Sequence, residues 1–179
     1  AGSVIHGTHE QDIRKLGGLL RSMPWTSATF CIGGLALCGF PGLAGFFSKD
    51  KILVLAHDRN AALYWLGTLT AGMTAFYIAR AWFVAFTGKG HAHGHARPGD
   101  HERRAGESPP VMIGPLVFLA ALSVGGGYLG IPRFLDPHAH GELHWQVAIT
   151  SLVVVAIGLG LAWLIYKQKV ASPQQVVNA

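Results

Sequence analysis

The chain has 179 residues, of which 50% are hydrophobic and only 13% are charged, and its formal net charge is +5. Soluble domains carry about 25% charged residues, so this composition excludes an ordinary soluble protein and favours a membrane protein. The positive charges fall in loops between long apolar segments, so the basic balance does not require a nucleic-acid partner.

The first residues are predicted to be the end of a transmembrane helix that begins earlier. Residues 1–6 read Ala-Gly-Ser-Val-Ile-His, and residues 7–24 are polar and form a predicted loop. His6 lies beside Glu10 and Asp12. It is therefore a candidate for a proton path, although capping the helix end is the simpler role. We expect the chain to be a fragment of a longer protein.

The next segment predicts a transmembrane helix with a break. Residues 25–47 carry no formal charge, and about 20 apolar residues suffice to cross the hydrocarbon. Gly39, Pro41 and Gly42 lie near the end of this run. Proline lacks a backbone N–H and clashes with the preceding turn, so the helix should break near Pro41. We predict one broken transmembrane helix over residues 25–57.

Two ionisable residues, Lys49 and Asp50, follow this break within Gly-Phe-Phe-Ser-Lys-Asp. Lys51 comes next, so Lys49 could simply extend to the membrane surface. A broken helix, however, exposes carbonyl groups that can hold water or a cation. A lysine removed from water in such a place can exchange a proton near neutral pH. Lys49 and Asp50 are therefore candidates for a proton path.

A second span is predicted over residues 61–87, and its one charged residue is Arg80. Arginine keeps its proton in proteins, so Arg80 cannot relay a proton. It could hold a carboxylate or bias a nearby lysine, and we include it in the candidate path. Extension of the guanidinium to the membrane surface is the simpler alternative.

A glycine-rich loop follows over residues 88–109 and contains four closely spaced histidines. Clustered imidazoles can bind zinc or nickel, but no cysteine or carboxylate arrangement here fixes a ligand geometry. We therefore predict no metal site. The histidines of this loop are His91, His93, His95 and His101, and those of the later outer loop are His138, His140 and His144.

Two further spans are predicted over residues 110–131 and 145–167, separated by an outer loop at 132–144 and followed by a tail at 168–179; neither carries a charge except Lys167 at the end of the second. The fold class is therefore all-α: a polytopic membrane bundle of four transmembrane helices, the first broken near Pro41. Nine Lys and Arg residues lie in the loops at 7–24 and 88–109 and from Lys167 onward, against two on the opposite face. By the positive-inside rule, the loops at 7–24 and 88–109 and the C-terminus are cytoplasmic.

Several sequence motifs that are typical of nucleotide-binding, redox and hydrolytic enzymes are missing from the sequence. There is no phosphate-binding Gly-rich loop, no dinucleotide fingerprint, no Cys-x-x-Cys and no Gly-x-Ser-x-Gly. Nothing in the sequence carries hydride or electron chemistry, and we predict no cofactor in this chain.

Three stretches of the chain together resemble one family. They read Gly-Ser-Val-Ile-His at 2–6, Glu-Gln-Asp-Ile-Arg-Lys-Leu-Gly-Gly at 10–18, and Gly-Phe-Pro-Gly-Leu-Ala-Gly-Phe-Phe-Ser-Lys-Asp-Lys-Ile-Leu at 39–53. They are similar to the distal antiporter-like subunits (the L family) of the bacterial proton-pumping NADH:quinone oxidoreductase, respiratory complex I. Residues 61–88 fit the helix that follows in these subunits, and the remainder fits by hydropathy.

This resemblance implies proton translocation coupled to NADH oxidation and quinone reduction elsewhere in the complex. It places Lys49 on a broken helix towards the proton exit, in the second of two inverted repeats. NADH, FMN, iron–sulfur clusters and quinone would be bound by other subunits, and the partners would be other membrane-arm subunits in the bacterial inner (cell) membrane. The first repeat would precede Ala1, so the chain would be a fragment of the C-terminal half.

Other interpretations stay open at this point. Subunits of multisubunit sodium/proton antiporters and of membrane-bound hydrogenases resemble the Arg-Lys-Leu-Gly-Gly segment equally well, whereas Phe-Phe-Ser-Lys-Asp favours complex I. A metal transporter would need histidine or carboxylate ligands within the spans. A purely structural membrane bundle would have no use for the helix break and Lys49.

Overall fold

The computed structural model describes residues 2–13, 16–88, 106–128 and 145–171, with side chains in the last range described to Tyr166. Throughout these ranges the regular structure is helical, which confirms the all-α class. The helices are α1 (Gly2–Thr8), α2 (Pro24–Cys38), α3 (Ala44–Arg59), α4 (Ala61–Trp82), α5 (Pro110–Gly125) and α6 (Trp145–Ala171). A π-helical turn, Phe83–Thr87, extends α4, and a 3-10 turn, Gly126–Tyr128, extends α5.

Three helical segments in the described ranges are long and apolar enough to cross a membrane alone: Ala61–Thr87, Pro110–Tyr128 and Trp145–Tyr166. The predicted first span consists instead of two shorter helices, α2 and α3. The predicted count of four transmembrane helices, the first of them broken, is therefore not exact, because the broken one is two separate helices. The last span continues as helix to Ala171, into the predicted tail.

The break lies between Cys38 and Ala44, as predicted near Pro41. Gly39 ends α2 in the left-handed region, with φ of 82°, and Gly42 has φ of 84°. The N–H groups of Gly39 and Phe40 donate to the carbonyls of Ala36 and Leu35, both at 3.0 Å, which is the Schellman pattern of a glycine-terminated helix. The two glycines set the turn, because residues with a Cβ disfavour these dihedral angles.

Helix α2 runs antiparallel to α4. The ring centroids of Phe30 and Phe86 are 5.7 Å apart, and further along α2 the fully buried Cys38 packs with Ala71 and Ala75. Ala71 and Ala75 lie near the middle of the Ala61–Thr87 segment. The helix break therefore lies at mid-height of the bundle.

Helix α6 lies beside α4 and runs parallel to it. Val147 packs against Tyr64 near the start of α4, and Val155 packs against Ala71 and Ala75. A Cβ placed on Gly158 would lie 2.5 Å from the Gly72 carbonyl oxygen, so this glycine permits the close approach of the two helices.

One end of the bundle, called here the α1 end, brings distant parts of the chain together. Val4, Leu19, Ala85 and Phe86 form one buried cluster there, and the Leu20 N–H donates to the Phe86 carbonyl at 3.2 Å. The start of α2 and the end of α4 therefore meet at the α1 end.

The outer surface of the bundle is apolar. Trp65, Leu69 and Met73 follow one face of α4 and are each 60% or more exposed. A helix that is apolar on its outer face as well as its packed face suits a membrane rather than water. The protein is a membrane protein.

Candidate functional site

The site begins with the carbonyl groups at the end of α2. The last four carbonyls of a helix have no partner within it. The Schellman turn uses those of Leu35 and Ala36. The next carbonyl, that of Leu37, would accept from the residue four positions later in a continuing helix. That residue is Pro41, which has no N–H to donate.

Lys49 supplies the donor that the backbone lacks. It lies in the second turn of α3, and its Nζ donates to the Leu37 carbonyl at 3.2 Å and to the Cys38 carbonyl at 3.3 Å. A cation at the C-terminal end of a helix also interacts favourably with the helix dipole. The side chain therefore folds back across the break and joins α3 to the end of α2.

A close backbone contact brings the two helices near enough for this reach. A Cβ placed on Gly45, in the first turn of α3, would overlap the Ala36 carbonyl group of α2. Gly39 is adjacent to the lysine as well, since its added Cβ would lie 3.1 Å from the Lys49 Cδ. Gly45 therefore lets α3 approach α2, and Gly39 leaves space for the lysine side chain.

The ammonium group of Lys49 lies at mid-height in the bundle. Its acceptor Cys38 is 0% exposed and packs against the middle of α4. Asp50, the next residue, is also buried at 7% exposure. The structure therefore brings Lys49 to the break formed by Gly39, Pro41 and Gly42, and Asp50 follows it as a buried residue of α3.

The other two candidate residues lie elsewhere. His6 is exposed on α1, with its ring 6.3 Å from that of His9, and it belongs to the α1 end. Arg80 is exposed on α4 between the level of Ala75 and the α1 end. The described structure does not bring His6 or Arg80 into contact with Lys49.

The predicted histidine clusters lie outside the described residues, at 89–105 and 129–144. In the part of the chain that the structure does cover, no three His, Cys, Asp or Glu residues form a group suited to a metal ion. The prediction of no metal site therefore stays a prediction for the histidine-rich loops.

Sequence reasoning missed the acceptors of the lysine, because a backbone carbonyl has no residue type. One signal was present: Pro41 stands four residues after Leu37, so the Leu37 carbonyl had to find another donor. The identity of that donor required the fold of the Gly39 turn.

Comparison with known proteins gives consistent matches. The family described as NADH:quinone oxidoreductase/Mrp antiporter, TM, matches residues 1–74. The chain is 38% identical to the NAD(P)H-quinone oxidoreductase chain 5 of Picosynechococcus sp., over 99% of this chain and 32% of that protein. It is 37% identical to the NADH-quinone oxidoreductase subunit L of Mycobacterium tuberculosis, over 93% of this chain and 28% of that protein.

A third relative fits the same pattern. The NADH-ubiquinone oxidoreductase chain 5 of Metridium senile is 37% identical over 93% of this chain and 26% of its own length. The chain thus spans about a third or less of the length of these curated relatives. The matches extend beyond the motif-bearing residues 1–53 to nearly the whole chain.

Proposed function

Because the chain belongs to the NADH:quinone oxidoreductase/Mrp antiporter family of membrane subunits, we propose that it forms part of a subunit that translocates protons. In this proposal the subunit is the antiporter-like subunit L of a respiratory NADH:quinone oxidoreductase. NADH oxidation and quinone reduction occur in other subunits, which bind the NADH, FMN, iron–sulfur clusters and quinone.

The observation that supports this function best is the contact between the Lys49 ammonium and the carbonyls of Leu37 and Cys38 at mid-height. A lysine serving only as a surface anchor would extend towards an end of the bundle. This side chain instead reaches a helix break, the kind of structure that holds ions inside membrane proteins.

The geometry suggests how a proton is held and released. The two carbonyls accept hydrogen bonds from the charged ammonium and so hold it at the break. A positive charge arriving nearby would repel the ammonium, and this repulsion is strong where water is scarce. In the proposed cycle, Lys49 takes a proton from the preceding part of the subunit and passes it outward when such a charge arrives. Asp50, buried beside it, is proposed to balance the charge.

His6 and Arg80 keep secondary roles in the proposal. Both lie towards the α1 end, away from the break. We assign His6 to proton uptake at that end and Arg80 to electrostatic bias, since arginine does not release its proton.

The proposed location is the bacterial inner membrane, with multiple spans. The α1 end faces the cytoplasm, because the loops at 7–24 and 88–109 carry most of the basic residues. The proposed partners are the other membrane-arm subunits, the surrounding lipid and the transported protons.

A second candidate is a subunit of a multisubunit sodium/proton antiporter, because the matching family description also names the Mrp antiporter. The relatives described above are named as chains or subunits of NAD(P)H-quinone, NADH-quinone or NADH-ubiquinone oxidoreductases, which favours the respiratory complex. Sodium-independent pumping driven by NADH would separate the two.

Replacement of Lys49 tests the proposal. Lys49→Ala, made in the full-length subunit of the assembled complex, should abolish most NADH-driven proton pumping in membrane vesicles, because it removes the proton-carrying group. Lys51→Ala is the matched control, since Lys51 is an exposed lysine two positions away and should leave pumping unchanged. Wild-type pumping by an assembled Lys49→Ala complex would overturn the proposed function.

A further inference from the structure

The other end of α2 is held by a side chain from a distant part of the chain. The Glu107 carboxylate accepts hydrogen bonds from the N–H of Trp25 at 2.9 Å, the N–H of Thr26 at 3.3 Å and the Thr26 hydroxyl at 2.5 Å. Glu107 is 81 residues from Thr26 along the chain. It caps α2 from outside the helix.

The residue at the start of α2 does not cap the first N–H groups of the helix. Its N-cap residue is Met23, which makes no side-chain hydrogen bond to the helix. The first N–H groups of a helix need acceptors, and the positive end of the helix dipole favours a carboxylate. Glu107 satisfies both requirements with one side chain.

A row of buried hydroxyl groups continues from this cap. The Thr26 and Ser3 hydroxyl oxygens are 2.9 Å apart, and those of Ser3 and Ser108 are 2.6 Å apart. The Ser108 hydroxyl also lies 3.0 Å from the Ser3 carbonyl, to which it donates. All three residues are at most 5% exposed. The row joins α1, α2 and the segment that leads into α5.

Backbone packing tightens the same junction. A Cβ on Gly7 would lie 2.7 Å from the Gly106 carbonyl oxygen and 2.8 Å from the Met23 Cε. The segment 106–108 is therefore wedged between α1 and the start of α2. Every contact of Glu107 described above comes from a donor at the start of α2, so the carboxylate ties this wedge to the helix.

We propose that Glu107 is a positioning residue for Lys49, acting through α2. The helix has 15 residues and is about 22 Å long. Its positive end is held by Glu107 at the α1 end, and its negative end offers the Leu37 and Cys38 carbonyls to Lys49. The depth of α2 in the bundle, and hence the position of these carbonyls, is set by the Glu107 cap. This inference rests on the proposed role of Lys49.

The experiment uses the Cys38 thiol to report changes at the end of α2 that contacts Lys49. It is done in the full-length subunit of the assembled complex, with Cys31 replaced by Ala. Cys38 is fully buried, so N-ethylmaleimide should label it slowly. Glu107→Ala should speed labelling roughly five-fold, the size expected from loss of a helix cap, and should shift the pH profile of NADH-driven pumping. Glu107→Asp, which keeps the charge, should restore most of both properties.

Two further variants keep the test decisive. Thr29→Val removes another hydroxyl near the start of α2, whose hydrogen bonds in the described part of the chain lie within the helix, and it should change neither property. Glu107→Gln keeps an acceptor oxygen without the charge, so it serves if the alanine variant does not assemble, and it should show the same changes in weaker form.

Unchanged Cys38 labelling and an unchanged pH profile in an assembled Glu107 variant would overturn the inference. Failure of the proposed function is seen separately, as wild-type pumping by Lys49→Ala.

Discussion

At the residue scale, the site depends on one lysine that replaces a missing backbone donor. Pro41 leaves the Leu37 carbonyl without a partner in the helix, and the Lys49 ammonium fills the vacancy. The sequence predicted Lys49 and Asp50 as candidates because charge follows a break. It could not predict which carbonyls the ammonium binds, since that depends on the left-handed turn at Gly39.

Substitution with arginine separates holding a charge from exchanging a proton. Lys49→Arg keeps the positive charge and can still donate to the carbonyls, but arginine retains its proton. We expect the complex to assemble normally and its proton pumping to fall about as far as in Lys49→Ala. NADH-driven dye quenching in membrane vesicles, normalised to the amount of complex, measures this.

A purely electrostatic role of Lys49 predicts a different pumping rate for Lys49→Arg. If Lys49 only stabilises the helix break electrostatically, Lys49→Arg should pump at the wild-type rate while Lys49→Ala fails. That pair of results would contradict proton exchange at this residue.

At the element scale, the break is a glycine structure with a proline inside it. The sequence predicted a break near Pro41, and the structure confirms it. The separate roles of the three glycines could not be predicted. Gly39 and Gly42 adopt the left-handed backbone angles, whereas Gly45 allows α3 to contact α2. Close approach of two backbones depends on the packing of both helices, which local sequence does not specify.

A pair of glycine substitutions tests this close approach. Gly45→Ala should destabilise the subunit by about 1–3 kcal/mol, because the new methyl group would collide with the Ala36 carbonyl and overpacking is costly. Gly33→Ala is the matched control within α2, since nothing lies within 4 Å of its added Cβ. Thermal inactivation of the detergent-solubilised complex compares the two. Equal inactivation temperatures would contradict the described contact.

At the scale of the whole molecule, α2 connects two sites of opposite charge. Glu107 holds its start at the α1 end, and Lys49 holds its end at mid-height. Hydropathy alone predicted the helical membrane bundle, since apolar runs identify spans directly. The predicted count of four spans, the first of them broken, is not exact, because the broken one consists of two shorter helices beside three segments long and apolar enough to cross a membrane alone. The junction at Glu107 escaped prediction, as contacts over 81 residues leave no local pattern.

Cross-linking tests the junction that closes the α1 end. The hydroxyl oxygens of Ser3 and Ser108 are 2.6 Å apart, so cysteines at these positions should form a disulfide on mild oxidation. In a variant otherwise free of cysteine, Ser3→Cys/Ser108→Cys should cross-link and change gel mobility after a single proteolytic cut between the two positions. Ser3→Cys/Ser123→Cys is the control, because Ser123 lies about four turns further along α5. Cross-linking of the control pair as readily as the test pair would contradict the described arrangement.

The most direct test of the central claim is the number of protons pumped per NADH oxidised by the assembled complex carrying Lys49→Ala, with Lys51→Ala measured alongside. The account predicts a lower ratio for Lys49→Ala and a wild-type ratio for Lys51→Ala, because Lys49 donates to the Leu37 and Cys38 carbonyls at the helix break, whereas Lys51 is exposed. A wild-type ratio in the Lys49→Ala complex would contradict the account.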